Sequence, residues 1–264
     1  MTDHRAKDEG RLRFHRRFPS RYLSTARDIV VYVPPQYEGT SDRYPVLYLQ
    51  DGQNLFDPAT AFGGNDWRAD ITTDCLIENG AIEPVILVGV YNTGVRRISE
   101  YTPTRCRRRR KGGKADRYAQ MLARELKPFI DREYHTRRAP ADTGVGGSSL
   151  GGLVSLEAGL LYPRVFGKLA VLSPSIWWDE RSILELVRST NLKIRPRLWL
   201  DAGTEEGDGS VIADLRMLRD ALVEKGWREG ADLCYREVEC AGHNEHAWAA
   251  RFGEVLQYLF PRAG

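Results

Sequence analysis

The sequence predicts an α/β fold in which a mainly parallel central sheet is covered by helices on both faces. Three observations carry that prediction. Apolar, strand-like runs alternate with helical periods along the chain. The run Pro84–Val90 is apolar almost throughout, as a strand buried on both faces should be. The 264 residues are 42% hydrophobic and 28% charged, an ordinary globular balance that excludes collagen-like, disordered and disulfide-scaffold chains. That length suits one large domain able to bury roughly three-quarters of its unfolded surface.

Residues 1–20 mix acidic and basic side chains with no apolar run as far as Arg17, so a basic, polar segment is expected ahead of a single domain over 21–264. Arg27–Val33 and Tyr44–Leu49 read as the first strands, the second entering the turn Asp51-Gly52-Gln53-Asn54. A helix over Trp67–Glu78 should stop at Asn79-Gly80, because those residues tolerate left-handed backbone. After the strand Pro84–Val90, residues Ala115–Tyr134 have a helical stripe of Tyr118, Leu122, Leu126 and Phe129, with a kink expected at Pro128. The alternation continues through strand Thr143–Gly146, helix Leu150–Leu161, strand Lys168–Leu172 and helix Glu180–Ser189. Strand Arg197–Asp201, helix Ser210–Lys225, strand Asp232–Glu239 and a helix closing at Leu259 complete it. In such sheets ligands collect at the carboxyl ends of the strands, so reactive residues are expected on those loops.

Cys75, Cys106, Cys234 and Cys240 show neither CxxC nor metal-ligand spacing. Cys234 and Cys240 share one predicted strand, where six residues at ~3.3 Å separate them by about 20 Å, too far to bridge. Unpaired thiols and the lack of any apolar run long enough to span a membrane predict a soluble cytoplasmic protein.

The sharpest chemical signal is Gly147-Ser148-Ser149-Leu150-Gly151, a G-x-S-x-G pattern between a short apolar strand and a helical segment. A chain reversing that sharply leaves no room for side chains two residues either side of the serine. Ser149 is thereby exposed above the sheet edge as a nucleophile, and the N–H of Leu150 points where an oxyanion would form. A flexible glycine-rich turn is the alternative. A serine hydroxyl needs a base oriented in turn by an acid, and in this chain order both follow the serine. Of five histidines only His243 and His246 do so. His243 is preferred because it follows Gly242 directly after a strand, whereas His246 falls where the closing helix begins. The acid should lie on the preceding strand-end loop, 201–208, where Glu206 is chosen and Asp208 and Glu205 compete.

Taken together these segments resemble the Putative esterase family of the α/β-hydrolase superfamily, from about Tyr22 to Phe260. The matching stretches include 44–52 (YPVLYLQDG), 97–103 (RISEYTP), 125–131 (ELKPFID), the serine elbow, 172–177 (LSPSIW), 203–206 (GTEE) and 242–248 (GHNEHAW). The resemblance implies an α/β-hydrolase fold, supports Glu206 and His243, and adds the backbone N–H of Gln53 as a second oxyanion donor. It also implies that Trp177 and Trp178 lie near the site, as walls of an acyl or aryl pocket or as one core and one surface residue. Asn92, Arg96 and Arg97 follow another strand end and are candidates for the rim, with a plain solvent-facing role the alternative.

The predicted activity is therefore a cofactor-independent, metal-free serine esterase acting on a small-molecule ester through an acyl-enzyme. An acyltransferase using the same residues is the nearest rival, and a non-catalytic binding protein on the same fold is the next. Between Thr104 and Ala115 the chain also carries seven cations and no acid over residues 105–114; subtracting them from the net +3 leaves −4 for the rest. This run reads as an electropositive flap that steers anionic esters, or as a solvated loop. Nucleic acid is disfavoured as a partner because no aromatics interleave the arginines. A homo-oligomer stays open.

Overall fold

The computed structural model describes residues 11–191 and 193–262. Its sheet sorts side chains by the period of two that strands impose. In β3 (Val46–Gln50), Val46 and Tyr48 enter one apolar layer while Leu47 and Leu49 enter the other. The same division runs through β4 (Ile86–Val90), β8 (Lys168–Leu172) and β9 (Arg197–Gly203). Both faces therefore need cover, which the helices supply.

Eight strands stand in the order β1-β2-β4-β3-β7-β8-β9-β10. The first three of that order pair antiparallel, and every pairing from β4 onward is parallel. The members not yet bounded are β1 (Leu12–Phe18), β2 (Arg27–Tyr32), β7 (Thr143–Ser148) and β10 (Leu233–Val238). Helices α1 (Ala69–Glu78) and α8 (Glu245–Leu259) cover one face through Ala69, Phe252, Val255 and Leu256. On the other lie α3 (Ala115–Met121), α5 (Leu150–Leu161), α6 (Ser182–Ser189) and α7 (Ser210–Glu224). A one-turn helix α2 (Arg97–Glu100) follows β4. This is the α/β-hydrolase architecture expected.

One reading of the sequence needs correction. Residues 12–18, expected to lie in a polar segment ahead of the domain, form the edge strand, pairing Leu12 with Tyr32 and Phe18 with Arg27. A bulge between His15 and Phe18, with Arg17 at φ 55°, breaks the apolar alternation that would have revealed a strand. Residues 1–10 lie outside the described residues. Ahead of Pro128, where a kink is expected, a π-helical turn, Leu122–Leu126, joins α3 to α4 (Lys127–Glu133). Pro128 follows that turn directly, in the opening turn of α4.

The basic run folds as a small hairpin, β5 (Arg105–Cys106) against β6 (Lys111–Gly112). Helix α5 is buried from Leu150 to Leu160, and it carries one misfit. Glu157 is 4% exposed and its Oε2 has no hydrogen-bond partner. Burial, reinforced by the Asp116 charge on α3, pushes its carboxyl up to about 8. All four cysteines are free thiols.

Candidate active site

Three strand ends converge on the site, and each is followed by a non-glycine residue in left-handed backbone. Asp51 follows β3 at φ 56°, Ser149 follows β7 at φ 58° and Ser173 follows β8 at φ 43°. Such conformations cost about 1–3 kcal/mol each and persist only where the surroundings over-determine them.

At Ser149 the chain turns from β7 into α5 with φ 58° and ψ −123°. The Ser149 N–H donates to the carbonyl of Leu172 at 3.0 Å, tying the turn to the end of β8. A Cβ at Gly147 or at Gly151 would come within 3.0 Å of the Gln50 Cβ. The obstacle at both glycines is chiefly the last residue of β3, so the elbow is wedged against its neighbouring strand. Leu150 opens α5, with its N–H among those that lack an intrahelical acceptor.

His243 lies on the loop between β10 and α8, its side chain 40% exposed. Its Nε2 is 3.0 Å from Ser149 Oγ and its Nδ1 is 2.7 Å from Glu206 Oε2. The imidazole packs edge-on against Trp248, with ring centroids 4.9 Å apart. Glu206 is 1% exposed and accepts from Ser173 Oγ at 2.5 Å and the Gly203 N–H at 2.7 Å. Burial alone would raise the Glu206 carboxyl, but hydrogen bonds from His243, Ser173 and Gly203 outweigh it and hold the group below the usual glutamate range. Of the competing acids, Glu205 and Asp208 face solvent, and Asp208 accepts from the Ser210 N–H at the start of α7. His246 is exposed on the first turn of α8.

The turn after β3 brings Gln53 to the same end of the sheet. A Cβ on Gly52 would lie 2.5 Å from the backbone of Gly89 on β4, so only glycine lets the turn press this closely. Asn92 and Arg97, expected at the rim, both bond to Asp51 in that turn. Asn92 Nδ2 donates to Asp51 Oδ1 at 2.7 Å, and Arg97 grips both Asp51 oxygens. Burial disfavours the Arg97 charge, yet the Asp51 carboxylate outweighs that and raises its pKa. Arg96 faces solvent.

The two tryptophans part company. Trp178 is 2% exposed and donates from Nε1 to the Thr104 carbonyl at 3.0 Å, so it anchors the hairpin root and does not wall an open pocket. Trp177 is 46% exposed, and the Arg109 guanidinium sits 5.0 Å from its ring centroid. Two residues earlier, Ser175 donates its N–H to the Ser149 carbonyl at 3.1 Å and brings Oγ within 3.3 Å of Ser149 Oγ. The hairpin tip thus packs on the segment that touches the serine. Ser173, Trp248 and Arg251 were not singled out from the sequence; Ser173 and Trp248 lay within matched stretches, but a helical arginine carries no signal of burial.

The mainly parallel sheet with a serine on a strand-to-helix elbow defines an α/β-hydrolase. The chain belongs to the Putative esterase family, whose model matches residues 20–259, and it is a carboxylic ester hydrolase. It is 27% identical over 253 residues to YbbA of Bacillus subtilis strain 168, covering 91% of this chain and 95% of that protein. It is 30% identical over 153 residues to the iron(III) enterobactin esterase of Dickeya dadantii strain 3937, covering 52% of this chain and 32% of that protein. An IroE-like serine hydrolase from Shewanella oneidensis shares the fold with a TM-score of 0.75 at 24% identity, over 94% of this chain and 80% of that one. Among the described residues no His, Cys, Asp and Glu cluster could hold a metal, and no helix is long and apolar enough to cross a membrane.

Proposed function

We propose that the chain hydrolyses carboxylic esters through an acyl-enzyme on Ser149. The observation that carries the reading is the unbroken line Ser149 Oγ, His243 Nε2, His243 Nδ1 and Glu206 Oε2, with gaps of 3.0 and 2.7 Å. His243 takes the Ser149 proton as Oγ bonds to the ester carbonyl carbon, and Glu206 steadies the imidazolium that results. The N–H groups of Gln53 and Leu150 receive the oxyanion. Its collapse breaks the bond to the alcohol, which leaves with the proton from His243. Water, deprotonated by the same histidine, then adds to the acyl carbon, and collapse breaks the acyl–Oγ bond, releasing the acid as His243 returns the proton to Ser149 Oγ. The open face of His243 favours water over an alcohol as acceptor, and so hydrolysis over acyl transfer.

The substrate class we infer is a small ester that carries negative charge. Seven cations over 105–114 and the stacking of Arg109 on exposed Trp177 support it. The relative named for iron(III) enterobactin makes siderophore esters one class to screen. Free thiols at all four cysteines fit a cytoplasmic setting. The test is turnover of p-nitrophenyl acetate and labelling by a fluorophosphonate probe, each compared with Ser149→Ala. Turnover that survives in the folded variant overturns the assignment.

A further inference from the structure

Behind Glu206 lies a buried ionic group that the proposed relay does not itself use. Arg251, on α8, is 3% exposed. Its Nε donates to Asp201 Oδ2 at 3.0 Å, Nη1 to the Ala247 carbonyl at 3.2 Å, and Nη2 to Ser173 Oγ at 2.6 Å. The same Nη2 is 3.6 Å from Glu206 Oε1. Asp201, within β9, also accepts from Trp199 Nε1 at 2.7 Å and from the Ser173 N–H at 3.3 Å.

The bonds at Ser173 settle proton positions by counting. A hydroxyl has one proton and two lone pairs, whereas guanidinium and indole N–H groups only donate. Arg251 Nη2 and Trp248 Nε1, at 2.6 and 2.9 Å, occupy both lone pairs of Ser173 Oγ. The remaining proton must point to Glu206 Oε1, 2.5 Å away, which also receives the Gly203 N–H. With Oε1 filled by two donors, Oε2 is left for His243 Nδ1–H, and Nε2 faces Ser149 as an acceptor.

We propose that Arg251 is a positioning residue for proton transfer: acting through Ser173, it fixes which Glu206 oxygen meets His243 and which imidazole nitrogen meets Ser149. This rests on the reading of Ser149, His243 and Glu206 given above. The charges around Arg251 suit the task. Asp201 and Glu206 face it from the β9 side and His243 lies beyond Glu206, while on β10 Arg236 stands in register with Asp201 and Cys234 feels the Asp201 charge. With His243 neutral, Arg251, Asp201 and Glu206 sum to one negative charge, which the imidazolium cancels when it forms. Burial pushes the Asp201 carboxyl up and Arg251 opposes that rise, so the two acids share one fixed cation.

The test is a pH–rate series on p-nitrophenyl acetate with the full chain carrying Arg251→Met, Arg251→Lys, Ser173→Ala, or Arg251→Met with Ser173→Ala. Arg251→Met is expected to lower kcat ~10–100-fold with KM held within about twofold. It should also move the acid limb of the profile to higher pH, since the imidazolium no longer meets a nearby cation. Arg251→Lys should restore the limb but only part of kcat, because an ammonium lacks the fork that reaches both Asp201 and Ser173. Ser173→Ala should lower kcat without moving the limb, and the double variant should be no worse than Arg251→Met. An unchanged kcat and limb in folded Arg251→Met, or additive losses in the double variant, overturns the proposal. If Arg251→Met does not fold, Asp201→Asn with Arg251→Met removes both charges together; a comparable kcat loss supports the role and wild-type kcat refutes it. Ser149→Ala runs alongside. Turnover retained there defeats the relay itself, whereas turnover lost there with a wild-type Arg251→Met defeats only the role of Arg251.

Discussion

Arg97 holds Asp51 by both carboxylate oxygens, Nε to Oδ1 at 2.8 Å and Nη2 to Oδ2 at 2.7 Å, and so clamps the loop after β4 to the turn that carries Gln53. A bidentate fork fixes direction as well as distance. Arg97→Lys keeps the charge and loses the fork, so kcat on p-nitrophenyl acetate should fall ~10-fold with little change in KM. Arg97→Met should fall further. It should also lose about 2–3 kcal/mol in urea unfolding, below the cost of breaking a fully buried pair because Arg97 is partly open to water.

Ser149 stores strain that its two inactive variants should report differently. Neither alanine nor glycine retains Oγ, but only glycine is at ease at φ 58°, ψ −123°. Ser149→Gly should therefore unfold at higher urea than Ser149→Ala, by about 1–2 kcal/mol after the entropy cost of glycine. Equal midpoints would show that the turn is relaxed.

Glu206→Gln, Glu205→Gln and Asp208→Asn separate the acid from its neighbours. Glu206→Gln should lower kcat ~10²–10⁴-fold, the range that follows loss of an orienting acid, while the two exposed sites stay close to wild type. The depressed Glu206 carboxyl also contributes stability that is present above the ordinary glutamate pKa. That contribution is lost as pH falls through the native value, so Glu206→Gln should flatten the acid side of the unfolding curve.

Glu157 should destabilise the fold in a pH-dependent way. Its carboxyl is raised from 4.5 to about 8 in the native state. Below 4.5 both states hold the proton; between those values only the unfolded chain releases it, so native stability is lost as pH rises through the window and levels off above. Glu157→Gln removes the titration. Its gain in urea midpoint should be small at pH 4 and grow steadily to pH 8.

Arg109 tests the inferred substrate class. Arg109→Glu should raise KM for an aryl ester bearing a carboxylate, leave KM for p-nitrophenyl acetate near wild type, and weaken the salt dependence seen with the charged ester. Deleting residues 105–114 is the wrong experiment, because the hairpin root covers Trp178, and its loss would confound charge with folding.

Much of the fold was legible because the strands lie between two apolar layers and their sequences say so. The elbow was legible because five consecutive residues encode one turn. His243 could be ranked from chain order and loop position, whereas Glu206 stood out from its loop neighbours only through the family resemblance, and the geometry of both depends on Ser173, Trp248 and Arg251, which meet only in three dimensions. Arg97 illustrates the same limit: a residue just beyond a strand looks ready for a ligand, and nothing local reveals that Asp51, 46 positions earlier, has already claimed it. The edge strand Leu12–Phe18 escaped notice because its bulge interrupts the period that marks a strand.

The rooted hairpin has a further consequence. Its base is fixed by Trp178, Thr104 and the buried Cys106, but Arg107, Arg108, Arg109 and Arg110 at its tip all face outward. Those four positions form an exchangeable cassette. If the tip steers charged esters as proposed, new tips grafted there should retune selectivity, with the Arg109–Trp177 contact the link to the segment beside Ser149 that a graft would alter.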